Sequence, residues 1–142
     1  MADISLRGKA IIRGEAHGTA LVSHEPISFW GGYDWKTGEI IDRRHRLSGS
    51  IAKGKILAVP FTRGSSTTTA VLLEAIRAGT APAALLTTDT DFFFALASVV
   101  AEELYHAPLP LVVLTEADFA KLRTGDELFI KDHGEVIIHQ RA

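Results

Sequence analysis

The hydrophobic period of the sequence changes near residue 66, and this change points to a mixed α/β fold. Before it, residues 8–23 alternate loosely between apolar and polar side chains and are interrupted by glycines, which predicts two short strands at about 9–14 and 18–23. After it, apolar residues recur at helical spacing through residues 67–78, and Gly79 follows where a helix commonly ends. A β-rich first half is therefore joined to a second half that contains helices.

The second half alternates strands with helices. Short apolar runs predict buried strands at 55–59, 82–88 and 111–115. The run that begins at Thr90 or Asp91 predicts a helix that is apolar nearly all round and therefore mostly buried. A short helix from Glu116 and a hairpin turning at Asp132–Gly134 complete the chain. We expect one α/β domain over residues 1–142, with a barrel-like β layer, a parallel sheet and helices in three layers.

Composition excludes several classes of function. The formal net charge of -2 gives no basic footprint for nucleic acid, and no apolar run is long enough to span a membrane. The start, MADISLRG, lacks the features of a signal peptide, so a cytoplasmic protein is expected. The chain has no cysteine, which removes disulfides, thiol nucleophiles and cysteine ligands for an iron–sulfur cluster. Its six histidines show no metal-binding spacing.

The stretch RGSST, residues 63–67, lies between a predicted strand and a predicted helix. The N-terminus of a helix exposes unpaired N–H groups at its positive end, where carboxylates and phosphates bind. Gly64 would let a ligand approach the backbone closely, and Arg63 could bind a carboxylate with two hydrogen bonds. Ser65 and Ser66 would place hydroxyl groups in the same field. The alternative is purely structural, because serine and threonine are also preferred helix caps.

Two other stretches each have two interpretations. Residues 26–38 place four aromatic side chains around Gly31 and Gly32, which is typical either of a turn packed on the core or of a loop that covers a site or contacts a partner. The sequence DRRHR, residues 42–46, is a basic cluster that forms either a solvated face or a contact for an acidic partner surface.

These stretches, taken together, resemble a known family. The segments GTALVSHEPISFWGGYDWKTGEIID, HRLSGSIAKGKILAVPFTRGSSTTTAVLLEAIRAGTAPAALL and LASVVAEEL are similar to the small subunit, or swivel domain, of the aconitase X family. The resemblance runs from about residue 8 to about residue 115. Its specificity comes from the SFWGG and RGSS pieces occurring in one chain.

The resemblance implies a site shared with a second chain. In that family a large, cysteine-containing subunit carries an iron–sulfur cluster, so this chain itself would bind no cofactor. The swivel domain contributes a serine that acts as the catalytic proton acceptor, and this role falls on Ser65, with Ser66 as the alternative. Arg63, Gly64, Ser66 and Thr67 are then expected to bind substrate. The loop that lines the site or contacts the partner is expected to comprise Ser28, Phe29, Trp30, Gly31 and Gly32.

One departure from related enzymes affects this expectation. Aconitase and isopropylmalate isomerase have a similar Gly-Ser-Ser before a helix, with an arginine after the second serine. Here Thr67 stands in that place, so the carboxylate-binding role of that arginine does not carry over, and Arg63 lies on the other side of the two serines.

The resemblance implies dehydration of a small hydroxy acid, with the cluster iron assisting departure of the hydroxyl group. Family members dehydrate either cis-3-hydroxy-L-proline or mevalonate 5-phosphate. The C-terminal stretch TEADFAKLRTGDELFIKDHGEVIIHQ is more similar to the hydroxyproline type. A different class also remains open, namely a non-catalytic binding module with a swivel fold. That function would need a histidine at the exposed site, and none flanks the Gly-Ser-Ser turn.

Overall fold

The computed structural model describes residues 3–63 and 66–139, and within them twelve strands and three helices. In chain order these elements are β1 (Ile4–Arg7), β2 (Lys9–Ile12), β3 (Ala16–Val22), β4 (Ile27–Ser28), β5 (Tyr33–Asp34), β6 (Glu39–Ile40), β7 (Ile56–Ala58), β8 (Thr62–Arg63), α1 (Ser66–Ala78), β9 (Ala84–Thr87), α2 (Phe92–Tyr105), β10 (Leu111–Val113), α3 (Glu116–Phe119), β11 (Glu127–Ile130) and β12 (Glu135–His139).

Eight of the strands form one sheet in the order β1-β12-β11-β3-β7-β9-β10-β2. The middle strands β3, β7, β9 and β10 are parallel, and the flanking pairs are antiparallel. The β7-α1-β9 and β9-α2-β10 connections each return the chain to the sheet through a helix, as parallel neighbours require. The predicted α/β class is confirmed, and the barrel-like and parallel parts are continuous in one sheet.

The sheet nearly closes on itself through two glycines. Its edge strands β1 and β2 are consecutive in the chain and are separated only by Gly8, whose N–H donates to the carbonyl oxygen of Gly134 at 3.1 Å. A Cβ on Gly134 would lie 2.7 Å from the carbonyl oxygen of Gly8, and Gly134 has a φ of +103°. Only a residue without a side chain allows the two backbones to approach this closely.

Buried apolar side chains form two clusters on the two faces of the parallel strands. Along β7, Ile56 and Ala58 belong to the cluster inside the barrel, whereas Leu57 faces the helices. The helix-side cluster contains Leu72 of α1 and Phe94 of α2. Because successive residues of a strand point to opposite faces, short continuous apolar strands serve both clusters at once.

Several boundaries agree with the sequence-based predictions. The helix predicted at 67–78 spans Ser66–Ala78 and ends at Gly79, which has a φ of +77°. Asp91 is the N-cap of α2, and its side chain accepts hydrogen bonds from the N–H groups of Phe93 and Phe94. Strand β1 and the two-residue strands β4 and β8 were not predicted.

The expectation that the second helix is mostly buried is wrong. Helix α2 buries Phe94, Ala97, Ser98 and Ala101, but Phe92 is 66% exposed and Val99 51% exposed. Within the part of the chain described, α1, the sheet and the ring of Phe29 pack against one side of α2, and apolar residues on its other side are exposed. None of the helices described has the length and apolar character needed to cross a bilayer.

Candidate functional site

The two motifs singled out in the sequence meet at the carboxyl edge of the parallel strands. Strand β4 of the aromatic stretch pairs in parallel with strand β8 of the RGSS stretch, with Ile27 opposite Thr62 and Ser28 opposite Arg63. Strand β8 leads to α1 across residues 64 and 65. In parallel α/β sheets, both open and closed, ligands bind at the carboxyl ends of the strands, so this edge is the candidate site.

The N-termini of α1 and α2 both lie at this edge but differ in charge. Asp91 caps α2, and its carboxylate compensates the positive end of that helix. The first turn of α1, as far as it is described, contains no acidic residue. The positive end of α1 therefore remains uncompensated by side chains of its own first turn, which favours an anion beside it.

The aromatic stretch divides into buried and exposed members. Phe29 is fully buried; its ring is stacked on Tyr33 with centroids 4.8 Å apart and meets Phe94 edge-on at 5.3 Å. The Tyr33 hydroxyl donates to the carbonyl oxygen of Thr80 at 2.7 Å, and burial raises the pKa of this phenol. Trp30, in contrast, is 69% exposed. The core-packing interpretation therefore applies to Phe29 and Tyr33 and in part to Trp35, which is half-buried against the helix-side cluster, whereas Trp30 is exposed.

The turn that presents Trp30 depends on its two glycines. Gly31 has a φ of +75°, which L-residues with side chains rarely adopt. A Cβ on Gly32 would overlap the carbonyl oxygen of Ser28. The hydroxyl of Ser28 donates to the carbonyl oxygen of Trp30 at 3.1 Å, which closes the turn. The loop predicted at residues 28–32 is thus a compact turn next to β8.

The structure describes the side chains of some of the predicted substrate-binding residues and not of others. Arg63 is exposed, and none of the ion pairs between described residues involves it, so its guanidinium group is available to a ligand. Thr67 is half-buried in the first turn of α1. Gly64, Ser65 and the side chain of Ser66 lie outside the part of the chain that the structure describes. The role of Ser65 as the base therefore stays a prediction.

The basic cluster at residues 42–46 lies beside the aromatic turn. The N–H of Ile41, which precedes the cluster, donates to the carbonyl oxygen of Gly32 at 2.9 Å. The side chains of Arg43, Arg44 and Arg46 are exposed. His45 is buried, with its Nδ1 accepting a hydrogen bond from the N–H of Leu47. The cluster therefore adds positive charge at the rim of the candidate site.

A groove of about 260 Å³ continues the same sheet edge. It is lined by His24, Pro60, Thr88, Glu116 and Phe119. Pro60 connects it to the site, because Pro60 lies two residues before β8 and its carbonyl oxygen accepts the N–H of Thr88 at 3.1 Å. The sequence did not predict this groove, since its members come from four separate segments.

Sequence reasoning also missed the hydrogen bonds that hold β8. The Oδ2 of Asp91 accepts hydrogen bonds from the backbone N–H and the hydroxyl of Thr62, at 2.8 and 2.7 Å. The helix cap at Asp91 could be predicted from local sequence. Its second partner lies 29 residues earlier, beyond the reach of any capping pattern.

The residues of this chain do not fit an iron–sulfur cluster. The sequence contains no cysteine, and no group of three or more His, Asp or Glu side chains within the described ranges could hold a metal ion. Cluster-bearing proteins use cysteine thiolates for most ligand positions.

Comparison with known proteins shows similarity to one family. The family model described as the aconitase X swivel domain matches residues 5–139. The chain is 45% identical over 108 residues to the cis-3-hydroxy-L-proline dehydratase of Pseudomonas aeruginosa, an alignment that covers 76% of the chain but 19% of that protein. The chain thus spans about a fifth of the length of this relative.

In two further comparisons, the alignment covers most of this chain and most of the protein it is compared with. The chain is 35% identical over 127 residues to the phosphomevalonate dehydratase small subunit of Methanosarcina acetivorans, covering 89% of the chain and 84% of that subunit. A chain in the crystal structure of holo-form aconitase X from Thermococcus kodakaraensis superimposes with a TM-score of 0.86 at 30% identity, covering 96% of this chain and 99% of that one.

Proposed function

This chain belongs to the aconitase X swivel-domain family, and from that premise we propose that it is the small subunit of a hydro-lyase. The enzyme removes water from a small hydroxy acid, and the present chain supplies the catalytic base. The site is completed by a large subunit that closes over the carboxyl edge of the parallel strands.

The observation that carries the proposal is the pairing of β4 with β8. It brings the aromatic turn and exposed Arg63 together just before the N-terminus of α1, whose first turn, as far as it is described, contains no acidic residue. A carboxylate substrate would be attracted by the helix end and by the guanidinium group. The same field lowers the free energy of an anionic serine, which makes its hydroxyl group a stronger base.

Ser65 is the proposed base. In its anionic form it takes a proton from the substrate carbon next to the carbon that bears the hydroxyl group. The electrons of the broken C–H bond form the double bond, and the C–O bond breaks so that the hydroxyl group leaves as hydroxide. The hydroxide becomes water by taking a proton from solvent, and Ser65 regains its anionic form by releasing to solvent the proton that it took from carbon. Arg63 and the first turn of α1 orient the substrate carboxylate, and exclusion of water by the partner strengthens these charge interactions.

The proposed partner is a large subunit that contains cysteine and holds the iron–sulfur cluster implied by the family. The absence of a ligand set in the described part of this chain is consistent with that division of labour. The exposed Trp30 and the arginines at 43, 44 and 46 form a rim around the site that a second chain can cover. Aromatic and arginine side chains are enriched at such interfaces.

We propose cis-3-hydroxy-L-proline as the substrate. The support is sequence similarity, since relatives that carry this activity in their names are 45% and 40% identical to the chain. Dehydration of phosphomevalonate is the second candidate. It is favoured by the match over 84% of the M. acetivorans small subunit, and by exposed arginines that could bind a phosphate group.

The test is an assay of the chain combined with its large subunit. We expect loss of water from cis-3-hydroxy-L-proline and little turnover of mevalonate 5-phosphate, measured by product formation. The chain alone is expected to be inactive, because part of the site is missing. Turnover of mevalonate 5-phosphate alone would establish the second candidate, and turnover of neither substrate would overturn the proposal.

Trp30 is expected to be an important contact with the large subunit. The Trp30→Ala variant should bind that subunit about 30-fold more weakly, since an aromatic anchor at an interface contributes on the order of 2 kcal/mol. Its own fold should be unaffected, because the side chain is 69% exposed. Titration calorimetry of the two purified subunits measures the difference.

Leu104→Ala is the matched control for Trp30. Leu104 is also a large apolar residue, 62% exposed, but it lies in the last turn of α2, at the opposite end of that helix from the site. We expect its affinity for the large subunit to equal that of the unmodified chain. Equal affinities for both variants would show that the aromatic turn is not part of the interface.

A further inference from the structure

Asp91 has a buried carboxylate that accepts four hydrogen bonds. It is 7% exposed. Its Oδ1 accepts from the N–H groups of Phe93 and Phe94, both at 3.1 Å, and its Oδ2 accepts from the N–H and hydroxyl of Thr62. A helix cap needs only the first pair of bonds. The second pair attaches β8, the strand that precedes Gly64 and Ser65, to the start of α2.

A further hydrogen bond attaches the chain on the C-terminal side of Gly64 and Ser65 to the start of α2. The hydroxyl of Thr69, in the first turn of α1, donates to the carbonyl oxygen of Phe93 at 3.0 Å. Thr69 is 8% exposed, so this bond is shielded from water. The chain is therefore held at Thr62 and again at Thr69, and both attachments are to the first turn of α2.

We propose that Asp91 is a positioning residue for the reaction. It touches no reacting atom; it fixes the backbone on both sides of Gly64 and Ser65, directly at Thr62 and through Phe93 at Thr69. This inference rests on the proposed role of Ser65. Catalytic groups act efficiently only when neighbouring hydrogen bonds hold them in the productive geometry, and a displacement of about 1 Å can reduce the rate about 100-fold.

The arrangement requires a carboxylate. Four donors converge on two oxygens, and both oxygens must be acceptors. Asparagine has nearly the same shape and caps helices equally well, but it has one acceptor oxygen. In Asp91→Asn the amide oxygen can serve the cap of α2, which leaves an NH₂ group facing the N–H of Thr62.

The experiment compares Asp91→Asn with the unmodified chain by hydrogen exchange and by kinetics. In the full chain, amides of the peptide covering residues 62–69 should exchange about tenfold faster, as expected for loss of a hydrogen bond to a charged acceptor. In the assembled enzyme, kcat should fall between about 10- and 100-fold, with KM changed much less. Thr62→Val, which removes only the hydroxyl donor, should change both quantities in the same direction by a smaller factor.

Ser98→Ala is the matched control. The Ser98 hydroxyl donates to the carbonyl oxygen of Leu109 and accepts from its N–H, both at 2.7 Å, on the same helix but away from its first turn. Its loss should lower the melting temperature and leave both kcat and exchange at residues 62–69 unchanged. A purely structural role for Asp91 predicts that Asp91→Asn behaves in the same way.

The two proposals fail in different ways. Unchanged exchange at residues 62–69, or unchanged kcat, in Asp91→Asn would overturn the positioning role. If Asp91→Asn does not fold, hydrogen exchange at residues 62–69 and kcat are measured for Thr62→Val instead, and no change in either quantity would overturn the positioning role. An unmodified pair that dehydrates neither candidate substrate would count against the proposed function instead. The exchange comparison would then decide whether Asp91 holds this segment, with faster exchange supporting it and unchanged exchange overturning it.

Discussion

Replacing Ser65 with alanine is expected to lower kcat of the assembled enzyme by about a hundred- to ten-thousand-fold, the usual contribution of a general base. The substrate carboxylate would still meet Arg63 and the N-terminus of α1, so KM should change little. Assembly with the large subunit should also be intact, because a serine-to-alanine change removes only one oxygen. Steady-state kinetics and size-exclusion chromatography of the Ser65→Ala pair measure these quantities.

Ser66→Ala distinguishes the two neighbouring hydroxyl groups. Ser66 is proposed to bind substrate, so its removal should raise KM more than it lowers kcat. A large loss of kcat in Ser66→Ala together with near-normal kcat in Ser65→Ala would transfer the base to Ser66. Near-normal kcat in both variants would reject a serine base in this turn altogether.

Phe29→Ala is expected to lower the free energy of unfolding by about 3–5 kcal/mol, the cost of truncating a fully buried phenylalanine. Phe29 contacts the rings of Tyr33 and Phe94, so it joins the aromatic turn to α2 beneath the candidate site. A domain of ordinary stability, about 5–15 kcal/mol, would lose a large fraction of it. Urea unfolding followed by circular dichroism measures the loss.

The adjacent residue provides the comparison for Phe29. Trp30→Ala should change the free energy of unfolding by less than about 0.5 kcal/mol, as is usual at exposed positions. Circular dichroism should be the probe for this pair of variants, since one of them lacks a tryptophan. Similar losses in both variants would mean that the two aromatic residues do not divide between core and surface as the structure indicates.

Local signals in the sequence predicted the ends of the helices well. Gly79 was identified as the residue that follows the first helix, and Thr90 or Asp91 as the N-cap of the second, which is Asp91, because capping depends on a few neighbouring residues. The burial of α2 was predicted wrongly for the opposite reason. Its composition is apolar nearly all round, but how much of a helix is covered depends on how many elements pack on it, which a single sequence does not state.

The candidate site was predicted in pieces but not as a whole. Residues 26–38 and 63–67 were each singled out, yet nothing in either stretch shows that Ser28 pairs with Arg63. Strands of two residues are too short to have a recognisable alternation, and β4 and β8 are far apart in the chain. Only the family resemblance linked the two motifs before the structure did.

The strand pairing at the sheet's edge has a consequence for how such a domain can be built into an enzyme. Because β1 and β12 are antiparallel neighbours, with Ile4 opposite Ile138, the polypeptide enters and leaves the domain at one place. A unit with adjacent ends can be inserted into another polypeptide, or joined to one at either end, without disturbing its own hydrogen bonds. The P. aeruginosa relative, of which the matched segment is about a fifth, carries the equivalent unit within a longer polypeptide. One architecture therefore suits both fused enzymes and enzymes assembled from separate gene products.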